Sequence, residues 1–273
     1  MTQKIKLITI IDLLFLMILG AAGSLKNDIL SDIVYYLAFL IPIALGISHI
    51  FGDFGKQSNS MSRKAKLDDF KLTREGAILS LPLIFPEILA VLLISVATSE
   101  LMALLGQENT ASFTEPFIYA VFIHALVPAI LEELLFRFVP IKILKEDKKT
   151  AVILSSVMFA FAHANLFQIP YAFIAGLIFA FVYVATGSIW PSVAMHFTNN
   201  LVSLTSIYGF ADGWLVPLLA VFTLISAVFI VIRRKTYKEK IKTLCEGDKI
   251  NLTYSPLLFI AVSLILSLSV LFV

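Results

Sequence analysis

An all-α, polytopic transmembrane helix bundle of eight or nine spans is the fold this sequence predicts, on three observations. Of its 273 residues, 59% are hydrophobic and 15% charged, against about 25% charged in a soluble domain. Mean hydropathy is +0.93, and apolar stretches of roughly bilayer length recur along the whole chain. The basic residues fall almost entirely into alternate connecting segments, as they do when a chain crosses a membrane repeatedly.

The elements follow in order. A first span at 5–23 begins after Lys4 and Lys6 and ends at Ala21-Ala22-Gly23. It has the look of a signal peptide, but in a chain that is membrane protein throughout it reads as a retained helix. A second span covers 30–51 and a third 76–104, where Pro82 and Pro86 are expected to kink the helix. The third and the fourth, 116–141, exceed the bilayer thickness and should tilt or project from it. Spans at 151–167 and 169–186 follow, then the turn Gly187-Ser188, then spans at 189–208, 214–232 and 254–273. Polar segments lie at 52–75, 142–150 and 233–251. No repeat, low-complexity tract or soluble domain interrupts the pattern, so 1–273 reads as one integral membrane domain.

With the N-terminus inside, Lys26 alone lies on the far side and Arg137 alone lies within a span. The other 19 of 21 Lys and Arg then fall in inside segments. This predicts a cell-membrane protein with a cytoplasmic N-terminus and an outside C-terminus. The basic run at 233–251 reads as a solvated inner loop beside anionic lipid, with no nucleic-acid partner. Cys245 is the sole cysteine, so neither an intramolecular disulfide nor a cysteine zinc site can form.

The fourth span carries the costliest residues, Glu132, Glu133 and Arg137. Each charge is unfavourable by about 2.5–3.5 kcal/mol at the centre of a membrane helix. Glu133 and Arg137 are four apart and can pair on one face. Glu132 is turned by about 100° and meets Phe136 at its own i+4 position, so it stays free to act as an acid or base. His163, His196 and Asn200 lie in neighbouring spans, the last two on one helix face. At 1.5 Å per residue, Glu132 is roughly 15 Å, His163 roughly 18 Å and His196 roughly 10 Å from the inner boundary. The four groups can therefore share one water-holding cavity, expected to open toward the cytoplasm.

Such a set suits amide hydrolysis. A shielded carboxylate can take a proton from water, a histidine can orient that water, and a second histidine with an asparagine amide can donate to the oxyanion. The same Glu132, His163 and His196 would also make the His₂Glu ligand set of a catalytic zinc site, although the usual His-Glu-x-x-His helix is absent.

The motifs Glu132-Glu133-x-x-x-Arg137, Phe159-x-x-x-His163 and His196-x-x-x-Asn200, in that order on successive spans, resemble those of the CPBP intramembrane proteases. That family includes the type II CAAX prenyl proteases and the Abi, or bacteriocin-processing, proteins. The flank Gly187-Ser-Ile-Trp-Pro-Ser192 is similar too, and the resemblance covers about 111–208. It implies that Glu132 and His163 activate the catalytic water, that His196 and Asn200 form the oxyanion site, and that Glu133 with Arg137 braces it. It also implies hydrolysis without a metal, and a peptide or protein substrate that is lipidated in the CAAX-like case. A ninth segment departs from the family's eight-helix core.

Two other functions stay open: a transporter or proton-path protein built on the same polar groups, and a non-catalytic immunity or scaffold protein. Against transport, the chain shows no inverted repeat. Outside the motifs, His49 and His124 read as core histidines. Asp12, Glu87 and Glu100 read as helix-end, snorkelling or cavity residues.

Overall fold

The computed structural model describes residues 1–26, 28–55, 68–106, 113–210, 213–245 and 255–271. Among these the architecture is helical throughout. The helices are α1 (Thr2–Gly23), α2 (Asp28–Gly55), α3 (Arg74–Leu104), α4 (Phe117–Ile143), α5 (Lys148–Ala162), α6 (Ile169–Thr186), α7 (Trp190–Ile207), α8 (Leu215–Ile232), α9 (Arg234–Cys245) and α10 (Ser255–Leu271). A 3₁₀ turn, Asp68–Phe70, precedes α3. Lys56, Arg63, Lys64, Lys66 and Lys249, which entered the charge argument, lie outside the described residues.

Six helices, α1, α2, α3, α4, α6 and α8, are long and apolar enough to cross a membrane, which makes this an integral membrane protein. The expected count of eight or nine spans is not confirmed. The segments at 151–167, 189–208 and 254–273 are helical but of another kind. Helix α5 has 15 residues, about 22 Å, short of a hydrocarbon core of about 30 Å. Helix α7 is diluted by His196, Thr198, Asn199, Asn200 and Ser203. Helix α10 has 17 residues. The first two carry motif residues. Most of α5 is buried by neighbouring helices, and α7 turns Ser192 and His196 into the interior, so their sequences are free to be shorter or more polar. Helix α8 is their opposite: only Leu215, Leu219 and Ser226 are buried, and most of its remaining apolar side chains are exposed.

Helix α4 departs from regular winding twice. Val121–Leu126 and Leu134–Phe138 are π-helical. Each stretch lies just ahead of a proline, Pro128 and Pro140, which can donate no N–H and crowds the carbonyl four residues back. The wider π turns accommodate that loss. They bracket Glu132 and Glu133, setting the direction in which the two carboxylates leave the helix.

The bundle has two distinct ends. At one, Lys4 Nζ meets Glu146 Oε2 at 2.6 Å, and Tyr237 donates to the Leu79 carbonyl at 2.7 Å. Asp69 sits at the centre of this end. It pairs with Lys142, accepts from the Tyr183 hydroxyl at 3.2 Å, and its carbonyl accepts from Ile189 N–H at 2.8 Å. Gly187, at φ +67, ends α6 here, in a left-handed conformation that favours glycine. At the opposite end Ser31 Oγ donates to the Ala22 carbonyl at 3.0 Å, Tyr208 donates to the Glu115 carbonyl at 2.7 Å, and Ser263 donates to the Phe161 carbonyl. Apart from Lys26 and Arg137, every described lysine and arginine belongs to the first end.

Candidate active site

Glu133 and Arg137 lie at 0% exposure, with Arg137 Nε 3.6 Å from Glu133 Oε2. The carboxylate is held by more than the arginine. Ser192 Oγ donates to Oε2 at 2.8 Å, and His196 Nδ1 lies 3.0 Å from Oε1. An ionised carboxylate only accepts, so Nδ1 is the donor and carries a proton. Glu133 thus orients His196 as well as pairing with Arg137. The guanidinium lies over Phe159, 4.0 Å from its centroid, with Phe179 at 5.6 Å. Phe159 also meets the His163 and His196 rings edge-on at 4.9 and 5.4 Å, and Phe179 stacks on His196 at 5.1 Å. Helices α5 and α6 come close enough for this at Gly176, where a Cβ would stand 3.2 Å from both the Phe159 ring and the Ser156 backbone.

Glu132 points the other way, 15% exposed, with Oε2 3.6 Å from His196 Nε2. His163 caps α5. Its Nδ1 lies 2.9 Å from the Phe159 carbonyl, and a carbonyl accepts only, so Nε2 is the free acceptor. The chain leaves the helix sharply here. Ala164 has φ +45, a conformation unfavourable by about 1–2 kcal/mol for a residue with a Cβ, and the imidazole is left at the helix end. Asn200 Nδ2 points at the Ala125 carbonyl, 3.5 Å away. Glu132, His163, His196 and Asn200 line one cavity of about 280 Å³. Glu132 and His163 also form a wall of a second cavity, about 170 Å³, whose other sides are Phe15, Leu19, Phe39 and Phe136.

The first cavity does not open beside the basic loops, contrary to expectation. From Glu132 and His196 it runs past His124 and Ser203 to Phe113, Gln168 and Ile207, the end opposite Lys142 and Asp69. Counting residues along a helix gives depth but not the direction of an opening. That direction is decided by α5 stopping at His163 and by the packing around Asp69, which closes the other end.

Residues outside the motifs also depart from expectation. His124 is a cavity residue: its Nε2 is 2.5 Å from Glu115 Oε1 and its ring stacks on Phe113 at 4.4 Å. The Glu115 carboxyl is held below its ordinary value, first by its own backbone N–H and then by His124. Asp12 and Glu87 are buried, at 2% and 1% exposure, rather than snorkelling, while Glu100 is exposed near the end of α3. Ser192 received no role from sequence; its position four residues before His196 was the available signal.

Among the described residues, no group of three or more His, Cys, Asp or Glu side chains could hold a metal ion.

No curated protein and no solved structure matches the chain. Residues 114–202 match the family described as Rce1-like, type II CAAX prenyl endopeptidase. That match spans all three motifs, from before Glu132 to beyond Asn200, and makes this segment of the chain similar to the type II CAAX prenyl endopeptidases.

Proposed function

We propose that this protein is an intramembrane endopeptidase in which Glu132, helped by His163, activates water. What carries the reading is that Glu132, His163, His196 and Asn200, from three helices, line one cavity inside a membrane bundle. Glu132 takes a proton from a water that also donates to His163 Nε2. The water oxygen bonds to the peptide carbonyl carbon, and the oxyanion is held by Asn200 Nδ2–H. It is held also by His196 Nε2–H when that ring carries both protons. Collapse breaks the C–N bond as the protonated Glu132 gives its proton to the amine. Glu133 and Arg137 support the site from beneath.

The reaction is read as metal-free, with Glu132 and His163 acting on the water directly. The aromatic second cavity suits an apolar flank of the substrate, of which the prenyl group of a CAAX-like peptide is one example. The protein is read as resident in the cell membrane with its N-terminus in the cytoplasm, its outer helices in contact with lipid.

The test uses detergent-purified protein with a farnesylated CAAX peptide and an unmodified peptide library, cleavage being read by mass spectrometry. Glu132→Gln keeps shape and removes basicity, and is expected to lower turnover by about 10²–10⁴ while folding persists. Equal cleavage by wild type and variant would sink the assignment. No cleavage of either substrate would return the chain to a transport or scaffold role.

A further inference from the structure

Three observations bear on the face from which a substrate reaches this site. The first is charge. Lys4, Lys6, Lys71, Arg74, Lys142, Lys148 and the α9 cluster from Arg234 to Lys240 all lie at one end of the bundle. Lys26 is the one lysine or arginine described at the other end, which also carries the acids Asp32 and Glu115. Short basic loops stay on the cytoplasmic side.

The second is closure of that basic end. Asp69 joins the 3₁₀ turn to α4 through Lys142, to α6 through Tyr183 and to the start of α7 through Ile189. Trp190 Nε1 adds a bond to the Phe70 carbonyl at 2.8 Å. Below the reacting groups, Arg137, Glu133 and Ser192 are fully buried. The third is the course of the cavity, which runs from Glu132 to Phe113, Gln168 and Ile207 at the far end.

We propose that the cavity opens to the extracytoplasmic face, and that the substrate is a peptide presented from that side: an exported peptide, or the outer end of a membrane-inserted one. This rests on the peptidase reading and names its substrate class. A prenylated peptide made and held in the cytoplasm would meet the closed end. Phe113, stacked on His124 and held by the Glu115 contacts, stands at the entrance to the open one.

Orientation is measured by cysteine labelling, which needs no catalysis. The native chain has Cys245, exposed at the basic end. Thr114→Cys and Ser203→Cys, each combined with Cys245→Ser, report the far end and the cavity wall. A membrane-impermeant maleimide is applied to intact and to permeabilised cells, with detergent-solubilised protein as the reactivity control. Thr114→Cys and Ser203→Cys are expected to label in intact cells, and Cys245 only after permeabilisation. Labelling of native Cys245 in intact cells overturns the orientation, and it does so without any variant that might fail to fold. Labelling of Thr114→Cys but not Ser203→Cys in intact cells, with both reactive in detergent, overturns the opening. Sidedness is lost in detergent, so peptide cleavage there together with outward-labelled Cys245 would refute this inference while leaving the peptidase reading intact.

Discussion

Replacing Arg137 with methionine removes a buried cation and keeps most of the side-chain volume. Both partners of the pair are at 0% exposure, so Glu133 would be left charged in a site closed to water. Breaking such a pair from one side is unfavourable by about 3–5 kcal/mol. The contact with Phe159 at 4.0 Å would go as well, about 2 kcal/mol for a desolvated cation–π pair. The two losses share one guanidinium and do not simply add. Glu133 would keep its bonds from Ser192 and His196, which offsets part of the loss. The expectation is therefore about 3–5 kcal/mol, or a melting temperature lower by about 6–20 °C for a chain of this size. Size-exclusion profiles of detergent-purified protein after graded heating would measure it. Arg137→Met combined with Glu133→Gln removes the stranded charge, keeps an oxygen for His196, and should recover at least half of the lost stability. A double variant that melts as low as the single one would refute the stranded-charge argument. A stable but inactive Arg137→Met would instead mean that the arginine contacts substrate.

Asn200→Ala should lower kcat by about 10²–10³, the usual effect of losing one oxyanion donor, with KM little changed; a pure KM effect in steady-state kinetics would make Asn200 a binding residue. Glu115, whose carboxyl is held below its ordinary value of 4.5, contributes stability that is complete above that value and fades as pH falls through the folded one. The difference in melting between wild type and Glu115→Gln should therefore be present at neutral pH and shrink as pH falls below 4.5; a difference that grows on acidification would reverse the assignment. Chelator-treated protein, with metal content measured, should retain its activity; activity lost on chelation and restored by zinc would recast Glu132, His163 and His196 as ligands.

Much of this protein could be read from residue order. Apolar runs of bilayer length mark helices because a lipid core leaves backbone groups no other partners, and the described helices fall where those runs do. The four-residue spacing of Glu133 and Arg137 is enough to bring them together, since i and i+4 share a helix face whatever surrounds them. Three motifs on successive helices likewise carry the resemblance to a family, because helix order is a property of the chain. Contacts between helices are not written in spacing. Periodicity cannot say that Glu133 also holds Ser192 and His196, which are distant in sequence, or that Phe159 packs on Arg137 and both site histidines. It cannot show that α5 is sheltered by other helices, because hydropathy records a segment's own residues and not what covers it. The direction of the cavity is the clearest case. Depth follows from counting residues, but which end is open depends on where α5 stops and on Asp69 binding helices far apart in sequence, and only the packed bundle decides that.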